Sequence, residues 1–266
     1  MGKLFAVVLT IITVVSAAMF ATHHGWVPTD IAVHGPSIDR ELEQTLIATG
    51  VLFVLAQLAL SVFVWRAGEN QDRRPIRTFP GGATPMVVLA IVLVGSEVVG
   101  LTFFGSKVWA SIYQTAPDPN WLPIDVQAEQ FAFYFRYPGP DGKFGATHPE
   151  LINEANDNFF GLDPANDVAA RDDIVSASLA IPVGRMILLT MHAKDVGHAF
   201  FVPELRIQQD FVPGLELPLH FTATKPGKYE IVCTQLCGLG HYNMRAYVEV
   251  MPQAQFDQWL KDKANQ

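Results

Sequence analysis

The 266-residue chain has only two cysteines, only 17% charged residues, and fewer basic side chains (18) than acidic ones (26). The first shortage excludes a disulfide-rich secreted scaffold. The second excludes a disordered chain, which combines high charge with little apolar content, because half of the residues here are hydrophobic. The third argues against nucleic acid as a partner, since phosphate backbones are read by basic surfaces. A formal charge of −8 leaves basic proteins and metal ions as natural partners. A Cys-x-x-Cys-His sequence is also missing, which removes covalent haem attachment, and no long apolar run follows Tyr113.

The apolar residues are concentrated in three runs of 18 to 22 residues, Leu4 to Ala21, Thr45 to Trp65, and Pro85 to Ser106, with Glu97 the one charge among them. A hydrocarbon core of about 30 Å needs roughly 20 helical residues, so residues 45–65 and 85–106 predict a transmembrane hairpin within residues 23–114. Residues 1–22 have two readings. Lys3 before the first run and Ser16-Ala17-Ala18 near its end fit a cleaved signal peptide, and the same run fits a retained third helix. Arg66, Arg73, Arg74 and Arg77 between the second and third runs, against Arg40 alone in residues 22–43, place that loop in the cytoplasm. Residues 115–266 then lie on the opposite face, the periplasmic side of a bacterial inner membrane.

Charge divides at the same boundary. Residues 1–114 carry seven basic and seven acidic side chains, while residues 115–266 carry 11 basic and 19 acidic ones. From Trp121 onward Pro and Gly punctuate short β-branched and aromatic stretches, which predicts an antiparallel sandwich or barrel. Candidate strands are Gln127 to Tyr137, Ser176 to Ile181, Met186 to Ala193, Leu217 to Ala223, Gly227 to Val232 and Arg245 to Val250. A polar excursion runs from His148 to Asp173, and Gln253 to Gln266 reads as a surface helix with Phe256, Trp259 and Leu260 on one side.

Both cysteines fall in Cys233-Thr-Gln-Leu-Cys237-Gly-Leu-Gly-His241-Tyr-Asn-Met244. Cys237, His241 and Met244, on a loop between two strands, offer thiolate, imidazole and thioether, a soft donor set that suits copper. His198, after a strand, is the natural remote histidine. A single-copper site uses one cysteine, so Cys233 as a second thiolate allows two bridged coppers sharing one unpaired electron. Two readings compete: a Cys233–Cys237 disulfide in an oxidising compartment, and a zinc site, in which Met244 has no role.

This segment resembles the dinuclear copper A loop of the cytochrome c oxidase subunit II family. The resemblance extends from Thr45 through the hairpin, Gln130-Phe-Ala-Phe-Tyr-Phe-Arg-Tyr-Pro138, and Asp195 to Gly214. It implies an all-β cupredoxin-like Greek-key barrel on transmembrane helices. It further implies that Cys233 and Cys237 bridge both coppers, with His198 and Met244 completing one and His241 and the Gln235 backbone carbonyl the other. The family usually has Glu at the Gln235 position, where the carboxylate binds magnesium beside the large subunit. Gln lacks that charge, which puts the magnesium in doubt. Phe131 and Phe133 stand where the family has an aromatic stretch containing Trp that meets cytochrome c; a strand core is the competing reading for Phe133. Asp195 matches a rim position that receives cytochrome c, and Asp210 one near the large subunit on a route for protons or water. The family also carries an acidic residue on the last helix that feeds a proton channel, but nearer the cytoplasm than Glu97, for which a protonated side chain bonded within the helices is the alternative.

The resemblance implies a multi-pass subunit of a haem-copper terminal oxidase that takes single electrons from cytochrome c and passes them to haem in a separate large subunit. Oxygen is reduced there, since none of the eight histidines lies inside an apolar run. Competing expectations are the copper A subunit of a nitric oxide reductase, a metal-free structural quinol oxidase subunit, and a membrane-tethered blue-copper carrier.

Overall fold

The protein is described from a computed structural model covering residues 2–22, 26–69, 83–114 and 119–265. It divides into two compact units, one of Met1–Val27 and Ser37–Trp109, the other of Pro28–Pro36 and Ala110–Gln266.

The first unit is helical. α1 (Gly2–Ala21), α2 (Gly35–Glu69) and α3 (Thr84–Tyr113) are each long and apolar enough to cross a membrane. Leu55, Phe63, Ile91 and Val99 point outward, an arrangement that water penalises and lipid does not. Apolar helices of this length can anchor a chain in a membrane. α2 starts ten residues before its apolar run, because Pro36 fits a first helical turn and Glu41, Leu42 and Glu43 are good helix formers. Arg73, Arg74 and Arg77, on which the expected orientation of the hairpin rests, lie outside the described residues.

The second unit contains two five-stranded sheets. One has the order β3 (Ile174–Ser176), β2 (Ala132–Tyr137), β1 (Leu122–Glu129), β5 (Met186–Ala193), β8 (Leu217–Thr222). The other has the order β4 (Leu179–Pro182), β10 (Arg245–Met251), β9 (Gly227–Val232), β6 (His198–Val202), β7 (Ile207–Phe211). Both sheets are mixed and not purely antiparallel, since β1 runs parallel to β5 and β4 parallel to β10. Parallel partners need long crossovers, and the chain between β1 and β5, including the polar excursion, supplies one. The predicted strand from Gln127 to Tyr137 is two strands, with a reversal at Gln130–Phe131 that lets Glu129 pair with Ala132.

Alternation along β5 turns Ile187, Leu189 and Met191 inward, as a half-buried strand requires. They join one core with Phe135, Tyr137, Phe200, Val202, Ile231 and Val248. α4 (Gln253–Ala264) closes one side of that core: Phe256 is buried, and Trp259 and Leu260 pack against it. The second unit also takes in a segment that the sequence placed with the membrane part. Ile31 is fully buried in the same core, Ala32 pairs with Ala223, and the Ile31 N–H donates to the Glu204 carbonyl at 3.0 Å.

β1 is buried on both faces because the excursion covers the outer one. Phe159 stacks on Tyr134 at 3.6 Å and its carbonyl accepts from Gln127 Nε2 at 2.6 Å. Lys194 bridges Glu129 on the sheet to Glu154 on the excursion. The tightest tie is Arg136, whose side chain is 3% exposed. It pairs with Asp125 on β1, reaches Asp173 Oδ2 at 3.3 Å and the Gly145 carbonyl at 3.0 Å, and lies over Phe144 and Phe160.

Burial pushes the Asp173 carboxyl up to about 6, against the Gly145 amide and Arg136, with Asp172 and Asp125 adding to the rise. A carboxyl raised in the folded state binds its proton more tightly there than in the unfolded chain. Its contribution to stability is therefore complete below about pH 4 and is lost as pH rises through about 6. Thermal unfolding should accordingly show wild type losing stability relative to Asp173→Asn between those values. A gain over the same interval would mean that Arg136 outweighs burial.

Candidate metal centre

Two chain segments form the centre. β6 begins at His198, directly after the turn that carries Asp195, and the 12 residues between β9 and β10 form the loop Cys233 to Met244. The Cys233 N–H donates to the Met244 carbonyl at 3.2 Å, closing the loop at its base. Inside it the N–H of His241 donates to the Gly238 carbonyl at 3.1 Å and that of Met244 to the His241 carbonyl at 3.2 Å. These bonds turn His241 and Met244 back toward the cysteines.

Both cysteines are free thiols, with Sγ atoms 3.9 Å apart, well beyond the roughly 2.05 Å of a disulfide. Cys233 Sγ lies 4.0 Å from His198 Nδ1 and 3.2 Å from the Gln235 carbonyl oxygen. Cys237 Sγ lies 3.6 Å from His241 Nδ1 and 3.6 Å from Met244 Sδ. Donors that share a tetrahedral ion at about 2.0–2.3 Å are separated by roughly 3.3–3.8 Å; the two 3.6 Å spacings fall inside that range, and the 3.2, 3.9 and 4.0 Å ones lie just outside it. His198, Cys233 and Cys237 form the group able to hold a metal among the described residues, and all three are buried. Met244 is buried as well, whereas His241 is partly open to solvent.

The chemistry of the donors agrees. Burial, then the Cys233 neighbour, pushes the Cys237 thiol up to about 11. Ionising that sulfur at neutral pH therefore calls for positive charge beside it. His198 Nε2 lies 2.8 Å from Asp195 Oδ1. A proton on that nitrogen, donated to the carboxylate, leaves Nδ1 with a lone pair facing Cys233. Asp195 also accepts from the N–H of Gln130 at 2.8 Å and of Val196 at 2.6 Å. Burial opposes its charge, but the His198 bond and the two amides outweigh it and hold the carboxyl below its ordinary range.

The family description "cytochrome c oxidase subunit II, periplasmic domain" matches residues 162–251, a span that includes His198 and the whole Cys233 to Met244 loop. A cytochrome c oxidase subunit 2 from Thermostichus vulcanus is 30% identical over 261 residues, covering 90% of this chain and 79% of that one. The chain belongs to the cytochrome c oxidase subunit II family. An alternative cytochrome c oxidase subunit 2 from Bradyrhizobium diazoefficiens is 27% identical over 97% of this chain and 91% of that one. A crystal structure of the periplasmic domain of a cytochrome oxidase subunit II from Bradyrhizobium japonicum superposes with a TM-score of 0.41 at 23% identity, covering 57% of this chain and 96% of that one. Membership in the subunit II family implies a copper A centre, and the matched description is that of a periplasmic domain.

The remaining candidates separate clearly. Phe131 is 40% exposed and its ring rests against the metal loop, where a Cβ on Gly240 would come within 2.5 Å of it. Phe133 is a core residue, 2% exposed and packed on Phe211. Asp210 is exposed on β7, paired across the ladder with Ala199. Glu97 lies on α3, and among the described residues its Oε1 finds no hydrogen-bond partner. His192 is on β5, 4.0 Å from Glu216. The sequence missed two roles, Asp195 as the partner of His198 and Gln130 as the donor to both Asp195 and the Cys237 carbonyl. An acidic residue three positions before a candidate ligand is the signal available for the first. None exists for the second, because its partners are 65 and 107 residues away.

Proposed function

We propose that this chain is the subunit through which electrons enter a respiratory haem-copper terminal oxidase, holding two copper ions as a dinuclear copper A centre. The observation that carries the reading is how the donors group about the two sulfurs. Cys233 stands beside His198 and the Gln235 carbonyl, and Cys237 beside Met244 and His241. With His198 and Met244 on one copper and His241 and the Gln235 carbonyl on the other, each sulfur touches one terminal donor of each ion. That is what two bridging thiolates require. Retention of all six donors also speaks against a metal-free structural subunit.

Such a centre supplies a one-electron carrier whose geometry changes little between redox states. The chain's own residues do the rest. Core side chains exclude water from His198, Cys233, Cys237 and Met244, and Asp195 fixes the His198 ring. Phe131 places an apolar ring against the loop at the surface, a contact suited to the apolar haem edge of a donor. The acidic surplus of residues 115–266 attracts a basic cytochrome c over distance. The assignment of residues 115–266 to a periplasmic copper domain, with residues 23–114 as the hairpin anchor in an inner membrane, belongs to the same reading, as does transfer onward to a large haem subunit. At Gln235 an amide replaces a carboxylate, which favours an interface without the family's magnesium.

Rapid mixing of the assembled oxidase with reduced cytochrome c tests the function. The copper band should bleach before haem is reduced, at a rate that falls as ionic strength rises. Haem reduction that precedes copper reduction would refute it.

A further inference from the structure

We infer that Gln130 is a positioning residue that ties the two halves of the copper centre together; the inference rests on the copper reading above. Gln130 sits in the reversal between β1 and β2 and touches no candidate ligand atom. Its backbone N–H donates to Asp195 Oδ2 at 2.8 Å, and the other oxygen of that carboxylate holds His198 Nε2 at 2.8 Å. Its side-chain amide donates to the carbonyl of Cys237. One residue is therefore a single bond from the carboxylate that orients the remote histidine and a single bond from the backbone of a bridging cysteine.

The loop is shaped around this contact. Gly238, directly after Cys237, has φ +137°, and a Cβ there would come within 2.7 Å of Gln130 Nε2 and 3.2 Å of the Phe131 ring. A Cβ on Gly240 would come within 2.5 Å of the same ring. The Gln130–Phe131 turn presses into the metal loop at a point where only glycine leaves room. The loop has no helix or strand ladder across Cys237 to Gly240 to hold its backbone. The amide of Gln130 supplies an anchor in place of one, and it fixes the separation of Cys237 from His198 through partners far away in sequence.

The test uses the purified full-length chain loaded with copper. Gln130→Glu keeps size but puts an acceptor against the Cys237 carbonyl, and Gln130→Met keeps length with no donor. Copper loss to a chelator is expected to be about 10-fold or more faster in both, the scale of losing an outer partner of a metal ligand. The copper hyperfine pattern should shift while thermal unfolding stays as in wild type. Wild-type release rates and hyperfine pattern in both variants overturn the inference, and so does an effect confined to Gln130→Glu, which would trace to charge and not to the missing donor. A one-copper spectrum from wild type would refute the two-copper reading instead, while the release rates would still decide the role of Gln130.

Discussion

Replacing Cys233 by Ser is expected to abolish the dinuclear copper spectrum and to cut electron input from cytochrome c by far more than the roughly 10–100-fold typical of losing an outer partner of a ligand. The reason is geometric. Cys233 Sγ is the atom that lies near His198, the Gln235 carbonyl and Cys237 at once, so without it a pair of ions would lack a second bridging thiolate. A hydroxyl is a hard, weakly acidic donor and does not take the place of a thiolate toward copper. The fold should persist, because Ser is close to Cys in size and Cys233 is one small member of a core that runs on through Phe200, Ile231 and Val248. Absorption and paramagnetic resonance spectra, with turnover of the assembled oxidase, are the measurements. Unchanged turnover would remove the centre from the electron route. His192→Ala is the control, with copper expected to remain bound.

The second large effect concerns stability. Arg136→Met strands Asp125 and Asp173 as buried carboxylates beside one another, and breaking a buried pair in this way costs about 3–5 kcal/mol. The loss should show as a lower denaturant midpoint for the outer unit, with the excursion released first, since Arg136 also holds the Gly145 carbonyl and lies over Phe144 and Phe160. Converting Asp125 and Asp173 to Asn in the same protein should restore most of the stability, because the uncompensated charge is then gone. A wild-type midpoint for Arg136→Met would mean that the network contributes nothing to holding the excursion.

Legibility in the sequence followed the range of the interactions concerned. The long apolar helices announce themselves through local hydropathy, and β5 and β9 occupy the stretches Met186 to Ala193 and Gly227 to Val232 that Gly and Pro punctuation marks off. The Cys233 to Met244 loop stood out because four side chains able to bind copper lie within its 12 residues and their spacing is itself the signal. The reversal at Gln130–Phe131 was not: the apolar phase shifts there, from Val126 and Ala128 to Phe131, Phe133 and Phe135, but no Gly or Pro marks the turn. β6 and β7 escaped notice because their pairing, His198 with Phe211 through Val202 with Ile207, is set across a Pro203 turn and not by composition. The contribution of Ile31 to the outer core depends on Ala32 meeting Ala223, a contact with no local trace. The excursion read only as polar because what orders it, Arg136 on β2 and Lys194 just after β5, lies outside it.

The central claim is that two thiolates 3.9 Å apart bridge two copper ions. Copper content and paramagnetic resonance of the purified full-length chain test it most directly. Two coppers per chain with a seven-line hyperfine pattern are expected, as one unpaired electron shared equally by two copper nuclei requires. One copper per chain with a four-line pattern would contradict it and would leave Cys233 without a role.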